Sequence, residues 1–145
     1  MTDLFSDLGF AGNGIRHISA REAFYAVSKG AVLVDIREEY HTSMKTFKVD
    51  NYLILPQSIF EENIINLPKD RPLIIADASG IHSKAVAEKL LKNGYTLVAN
   101  LAGGIMDWER DGFPVQKDPA RQLSGQCPCM LKPVNRTKKI DSQYE

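Results

Sequence analysis

The stretch Leu73-Ile74-Ile75-Ala76-Asp77-Ala78-Ser79-Gly80-Ile81-His82-Ser83-Lys84-Ala85-Val86-Ala87-Glu88 has the pattern of an apolar strand that runs through a small-residue loop straight into a helix. A loop wrapped tightly onto a helix N-terminus aims several unpaired backbone N–H groups at one point, and the helix dipole adds positive potential there. Asp77, Ala78, Ser79, Gly80, Ile81, His82 and Ser83 therefore form a candidate anion-binding loop. Asp77 ends the strand and is the side chain best placed to enter the cradle. Two readings of it stand side by side: its carboxylate fills the cradle as a fixed anion, or it serves as an ordinary acceptor for the first N–H groups of the helix, a role its residue type favours. Either way the cradle is partly filled.

Two further groups carry possible chemistry. Asp35 and Arg37 follow an apolar strand and fall at the rim of the same cleft; an arginine beside an anion cradle steers a carboxylate or sulfonate-like ligand, and equally makes a salt bridge to Asp35, Glu38 or Glu39. The segment Cys127-Pro128-Cys129-Met130 contains the chain's two cysteines. Thiols one residue apart suit an easily reduced disulfide, a soft-metal site with Met130, a sulfur relay, or no chemistry at all. As a zinc site the segment is short of ligands, and no metal is assigned. His17 and His41 have no sequence partner that marks them as ligands, and Gly103-Gly104 is explained by a tight turn. Trp108 and Phe113 are expected to pack in the core.

The elements that position these residues alternate strand with helix. Ile15 to Ile18 is a short strand; Ser19 with Glu22 forms a capping box that opens a helix carrying Phe24 and Val27 and closed by Gly30. Ala31 to Ile36 is almost wholly apolar, as a strand buried on both faces requires. A polar region from Arg37 to Asn51, with a short helix around Glu38 to Met44, leads to a strand at Tyr52 to Leu55. Ser58 with Glu61 is expected to cap a helix carrying Phe60, Ile64 and Ile65. The cradle strand and helix follow, the latter with Val86, Leu90 and Leu91 on one face and an end at Asn93-Gly94. A strand at Leu97 to Leu101 and a helix through Met106, Trp108 and Glu109 complete the pattern. The fold class that follows is α/β: a three-layer, doubly wound sandwich with a mostly parallel sheet of four to five strands and helices on both faces. Ligands in such sheets bind beyond the carboxyl ends of the strands, where Asp77 lies.

Several linked motifs between Ile15 and Val115 resemble a known family. They are Ile18-Ser19-Ala20, Val34-Asp35-Ile36-Arg37-Glu38-Glu39, the cradle loop, and Leu101-Ala102-Gly103-Gly104-Ile105-Met106-Asp107-Trp108 followed by Gly112-Phe113-Pro114-Val115. Their order and spacing are similar to those of single-domain rhodanese-like proteins. In that family the position of Asp77 holds a cysteine whose persulfide is cradled by the loop N–H groups, and an arginine often stands where this chain has His82. The segment from His41 to Asp50 lacks the family's usual Gly-His-Ile stretch. The resemblance implies the fold; the missing cysteine removes the implied activity from the loop, because sulfur transfer needs a polarisable nucleophile that takes up sulfane sulfur and then loses it. Phosphatases that share this fold also require a loop cysteine and an arginine on the phosphate, and are excluded.

Length and charge set the remaining bounds. At 145 residues the chain accommodates one domain with extensions, here divided as 1–13, an N-terminal extension; 14–116, the rhodanese-like domain; and 117–145, a C-terminal tail with a polar, basic stretch from Lys132 to Lys139. Leu4, Phe5, Leu8 and Phe10 make an apolar N-terminal cluster suited to extending the core or to a homodimer contact. Eighteen basic and eighteen acidic residues cancel, which argues against nucleic acid or an anionic membrane as partner. The expected partner is a small anion, a sulfur carrier or a protein segment, with no cofactor. With no membrane-length apolar run, an acidic N-terminus and few cysteines, the expected compartment is the cytoplasm. Two functions follow: a non-catalytic module that binds at the Asp77 loop, or a sulfurtransferase or thiol-redox protein that uses Cys127 or Cys129.

Overall fold

The structure, a computed structural model, describes residues 4–118. Its strands are β1 (Phe10–Gly12), β2 (Ile15–Ile18), β3 (Val32–Asp35), β4 (Lys45–Phe47), β5 (Tyr52–Ile54), β6 (Leu73–Ala76), β7 (Val98–Leu101) and β8 (Val115–Lys117). Its helices are α1 (Ala20–Ser28), α2 (Glu39–Thr42), α3 (Phe60–Asn63), α4 (Ile81–Lys92) and α5 (Gly104–Arg110). The main sheet has the order β1-β2-β7-β6-β3-β5, parallel throughout except for β1. No helix among the described residues is long and apolar enough to cross a membrane.

Strict alternation along the central strands sorts the core into two layers. Leu33, Ile74, Ala76, Ala99 and Leu101 face one way and meet Ala23, Ala26 and Val27 of α1 with Ile105 and Trp108 of α5. Val32, Val34, Leu73, Ile75 and Val98 face the other way and meet Phe60 of α3 with Val86, Ala87 and Leu90 of α4. Two buried faces explain why β3 and β6 are continuous apolar runs. Trp108 is fully buried, edge-on to Phe47, and donates its indole N–H to the Pro114 carbonyl at 2.8 Å; Phe113 packs beside it. The Ser19 capping box is complete: Glu22 N–H donates to Ser19 Oγ at 3.2 Å, and Ser19 N–H donates to Glu22 Oε1 at 2.9 Å.

Two expectations are corrected, the strand count and the Ser58 cap. The main sheet has six strands rather than four or five, because the N-terminal segment adds β1 through a two-residue hairpin at Asn13-Gly14, both with positive φ (54° and 80°). Residues 4–13 are thus continuous with the domain, with Phe5 buried in the core and Leu4 and Leu8 packed against it, while Phe10 is exposed beside the His17 ring. The division at 116/117 falls inside β8, which pairs antiparallel with β4 as a separate two-stranded sheet. Ser58 does not cap with Glu61. Its N–H and hydroxyl both donate to Glu38 (2.9 and 2.8 Å), Glu61 pairs with Lys89, and the segment breaks into a 3₁₀ turn, the short α3 and a second 3₁₀ turn.

Candidate functional site

β6 lies in the middle of the sheet between β7 and β3, so Asp77 emerges at the centre of the edge formed by the strands' C-terminal ends. The turn into α4 depends on two glycines. Gly80 has φ 93°, and a Cβ there would lie 2.8 Å from Gly103 N; Gly104 has φ 59°, and a Cβ there would lie 2.4 Å from the Ala78 carbonyl. Without side chains, the start of α5 packs against the loop, and Ile105 N–H and Met106 N–H donate to the Asp77 and Ala78 carbonyls at 2.9 and 3.1 Å. The loop is held from the back by a neighbouring helix.

The Asp77 side chain turns inward and is 5% exposed. Its Oδ1 accepts the Gly80 N–H, and its Oδ2 accepts the N–H groups of His82 (2.9 Å) and Ser83 (3.3 Å). These are the amides that a helix start leaves unpaired. The two readings of Asp77 thus merge: the carboxylate is the helix's N-terminal acceptor and, by the same contacts, the anion seated in the cradle. The exposed His82 ring adds its Nδ1 at 3.5 Å from Asp77 Oδ2. Ile81 stands outside on the first turn of α4, exposed.

A buried polar chain continues behind the loop. The Ser83 hydroxyl lies within hydrogen-bond distance of Asp77 Oδ1 (3.2 Å) and of Asn100 Oδ1, and with one proton it donates to one of them at a time. Asn100 Nδ2 donates to the Gly80 carbonyl at 3.3 Å and stands 3.2 Å from His17 Nδ1, which accepts in the tautomer that leaves that nitrogen bare. Asn100 thereby links β7, β2 and the loop. Sequence reasoning missed it; its signal is a single buried amide in the otherwise apolar β7.

Asp35 and Arg37 take the salt-bridge alternative. Arg37 Nε and Nη2 donate to Asp35 Oδ1 and Oδ2 at 3.0 and 2.8 Å, its N–H adds a third bond to Oδ1 at 3.1 Å, and Nη2 also donates to the Lys45 carbonyl at 2.8 Å. Tyr52 donates its hydroxyl to Asp35 Oδ2 at 2.6 Å. Burial works against the charged guanidinium, yet the Asp35 carboxylate outweighs it and Arg37 titrates above its ordinary value. Burial, reinforced by Asp35, pushes the Tyr52 phenol well above its usual range. With both side chains nearly inaccessible, the pair ties β3 to β4 and β5 and leaves Arg37 no fork to offer a ligand. Cys127 and Cys129 lie outside the described residues. Among the described residues, no group of three or more His, Cys, Asp or Glu side chains is arranged to hold a metal ion.

A family model, that of the rhodanese-like domain, matches residues 19–111. A sulfurtransferase of Allochromatium vinosum is 33% identical over 90 residues, 62% of this chain and 82% of that protein. The thiosulfate sulfurtransferase GlpE of Haemophilus influenzae is 28% identical over 100 residues, 69% of this chain and 93% of its own length. Among solved structures, a rhodanese-related protein from Thermoplasma volcanium superposes with a TM-score of 0.65 at 26% identity, covering 71% of this chain and 99% of that one.

Proposed function

The chain belongs to the rhodanese-like domain family, and on that premise we propose that it acts as a binding module without loop-based sulfurtransferase activity, presenting the face around the Asp77 loop to a protein segment or a protein-borne sulfur carrier. The observation that carries this reading is the seating of the Asp77 carboxylate on the N–H groups of Gly80, His82 and Ser83. A carboxylate there satisfies the donors that would otherwise hold an incoming anion, and its hard oxygen does not take up and release sulfane sulfur as a thiolate does. Small anions are therefore the weakest of the ligand classes for this face. A reducing cytoplasmic setting belongs to the same reading, supported by a chain with two cysteines in all.

The names of the sulfurtransferase relatives support a second reading, in which Cys127 or Cys129 supplies the thiol that the loop lacks. It is favoured by the survival of the loop's N–H geometry and by the paired thiols in the sequence. Thiosulfate turnover with cyanide as acceptor separates the two. The first reading expects none from the wild type. Turnover that disappears in a Cys127→Ser/Cys129→Ser variant would transfer the function to the second, and turnover that survives in that variant would overturn both.

A further inference from the structure

We propose that His17 is a proton-sensing switch for the Asp77 loop: protonation of its ring turns the Asn100 amide over and moves the hydrogen bond of the Ser83 hydroxyl from Asn100 to Asp77. As a regulator of the binding face the switch rests on the binding-module reading; as a coupling between His17 and the loop it stands on the hydrogen bonds alone.

The donor and acceptor roles along this chain of groups are fixed from its loop end. The Gly80 carbonyl only accepts, so the Asn100 atom 3.3 Å from it is Nδ2, and Asn100 Oδ1 faces the Ser83 hydroxyl. The same Nδ2 stands 3.2 Å from His17 Nδ1, so that nitrogen accepts and the proton of the neutral ring is on Nε2. With Asn100 Oδ1 as its acceptor, Ser83 places its one hydroxyl proton there, and its oxygen faces Asp77 Oδ1 at 3.2 Å with no hydrogen between them. Ser83 and Asn100 are buried, so solvent is not at hand to repair a mismatch.

Histidine is the side chain whose ordinary titration falls in the physiological range. A proton taken from solvent by His17 converts Nδ1 from acceptor to donor, and two donors then face each other across 3.2 Å. Turning the Asn100 amide over resolves the conflict: Oδ1 accepts from His17, Nδ2 donates to Ser83 Oγ, and the Ser83 proton is freed for Asp77 Oδ1. The carboxylate then has a fourth donor beside the N–H groups of Gly80, His82 and Ser83. The Gly80 carbonyl loses its side-chain partner, one residue before the exposed Ile81 that opens α4.

The ring is accessible, and no neighbouring charge holds it in one state. His17 is half-buried, with the Phe10 ring 5.2 Å away and Gly12 beside its Nε2, where even an added Cβ would lie 3.6 Å off. The flanking strands β1 and β7 carry no charged residue. Arg16 on its own strand donates to the Leu8 carbonyl, and Asp7 lies in the turn before β1. On α4, His82 turns to Asp77, Lys89 pairs with Glu61, and Lys84, Glu88 and Lys92 are exposed. Among the described residues no charged side chain hydrogen-bonds or pairs with the His17 ring.

The chain has three histidines, so His41→Gln/His82→Gln leaves His17 as the one imidazole and removes the ring nearest Asp77. An NMR pH titration of this full-length variant, uniformly ¹⁵N-labelled, tests the switch. The neutral His17 ring should show a bare Nδ1 and a protonated Nε2. The side-chain NH₂ of Asn100 and the backbone amides of Ile81, whose peptide contains the Gly80 carbonyl, and of Ser83 should shift with the same midpoint as the His17 ring. That inflection should vanish when His17→Gln is added. Loop amides that stay flat while His17 titrates would overturn the switch, as would an inflection that survives His17→Gln. A neutral ring protonated on Nδ1, or a ring that stays neutral down to acid unfolding, would overturn it too. Thiosulfate turnover by the wild type would count against the binding-module reading alone, since the titration reads the coupling of His17 to the loop whatever the face binds.

Discussion

Replacing Asp77 with alanine should destabilise the protein by about 2–4 kcal/mol, a large share of the roughly 5–15 kcal/mol that holds a typical domain together. The figure follows from the contacts. Three backbone N–H groups, of Gly80, His82 and Ser83, donate to the carboxylate of a side chain that is 5% exposed. A hydrogen bond to a charged group contributes about 1.5–3 kcal/mol, and removal of a helix N-terminal acceptor alone costs about 0.5–2 kcal/mol. The loop edge is open enough at Ile81 and His82 for water to reach part of the vacated amides, which keeps the total below the simple sum. Asp77→Asn, which retains one carbonyl oxygen but turns an NH₂ group toward the donors, should fall between, at about 1–2 kcal/mol. Urea unfolding with an unchanged m-value is the assay. An alanine variant within about 0.5 kcal/mol of wild type would refute the reasoning. So would a stabilised one, since it would mean that the carboxylate is held in the cradle at a cost, as residues kept for chemistry are.

Asp77→Cys, made in a Cys127→Ser/Cys129→Ser background, should place a thiol in the same cradle and lower its pKa below the ordinary value of about 8.5; iodoacetamide alkylation against pH measures it, and an unperturbed profile would show that the loop N–H groups do not stabilise an anion. Arg37→Ala should cost about 3–5 kcal/mol in unfolding free energy, because it strands the fully buried Asp35, and a loss under about 1 kcal/mol would refute the structural role of the pair. Tyr52 has a raised pKa in the folded state, from burial and then from Asp35, so its contribution is present below the unfolded value of about pH 10 and is lost as pH rises from there through the folded value. The fall of stability above about pH 10 should therefore be shallower in Tyr52→Phe, with Tyr95, raised by burial, accounting for part of what remains; an equal slope in both proteins would contradict the assignment.

What was legible in the sequence is what local physics decides. The Ser19 box, the doubly buried runs of β3 and β6 and the strand–loop–helix at Asp77 are each set by residues within a few positions of one another. The misses come from competition at a distance. Ser58 and Glu61 have the spacing of a capping box, but Glu38, twenty positions away, takes both Ser58 donors and Lys89 takes Glu61. β4 and β8 are three residues each and are made strands only by one another, across most of the domain. β1 is equally short and ends in glycine, and its turn signal at Asn13-Gly14 is the trace that local sequence leaves of it. At the site, the cradle and its occupant were readable because a helix start and an aspartate are local features. The Asn100 bridge to His17, Ser83 and the Gly80 carbonyl was not, because it joins residues from three strands' ends that only the sheet order brings together.

The central claim is that the cradle is occupied by the protein's own carboxylate and is closed to an incoming anion. Amide chemical shifts of Gly80, His82 and Ser83 during a titration with thiosulfate test it most directly. The account predicts that these three signals stay fixed in the wild type and move saturably in Asp77→Ala, where the donors are vacated. Saturable movement of the same signals in the wild type would contradict it.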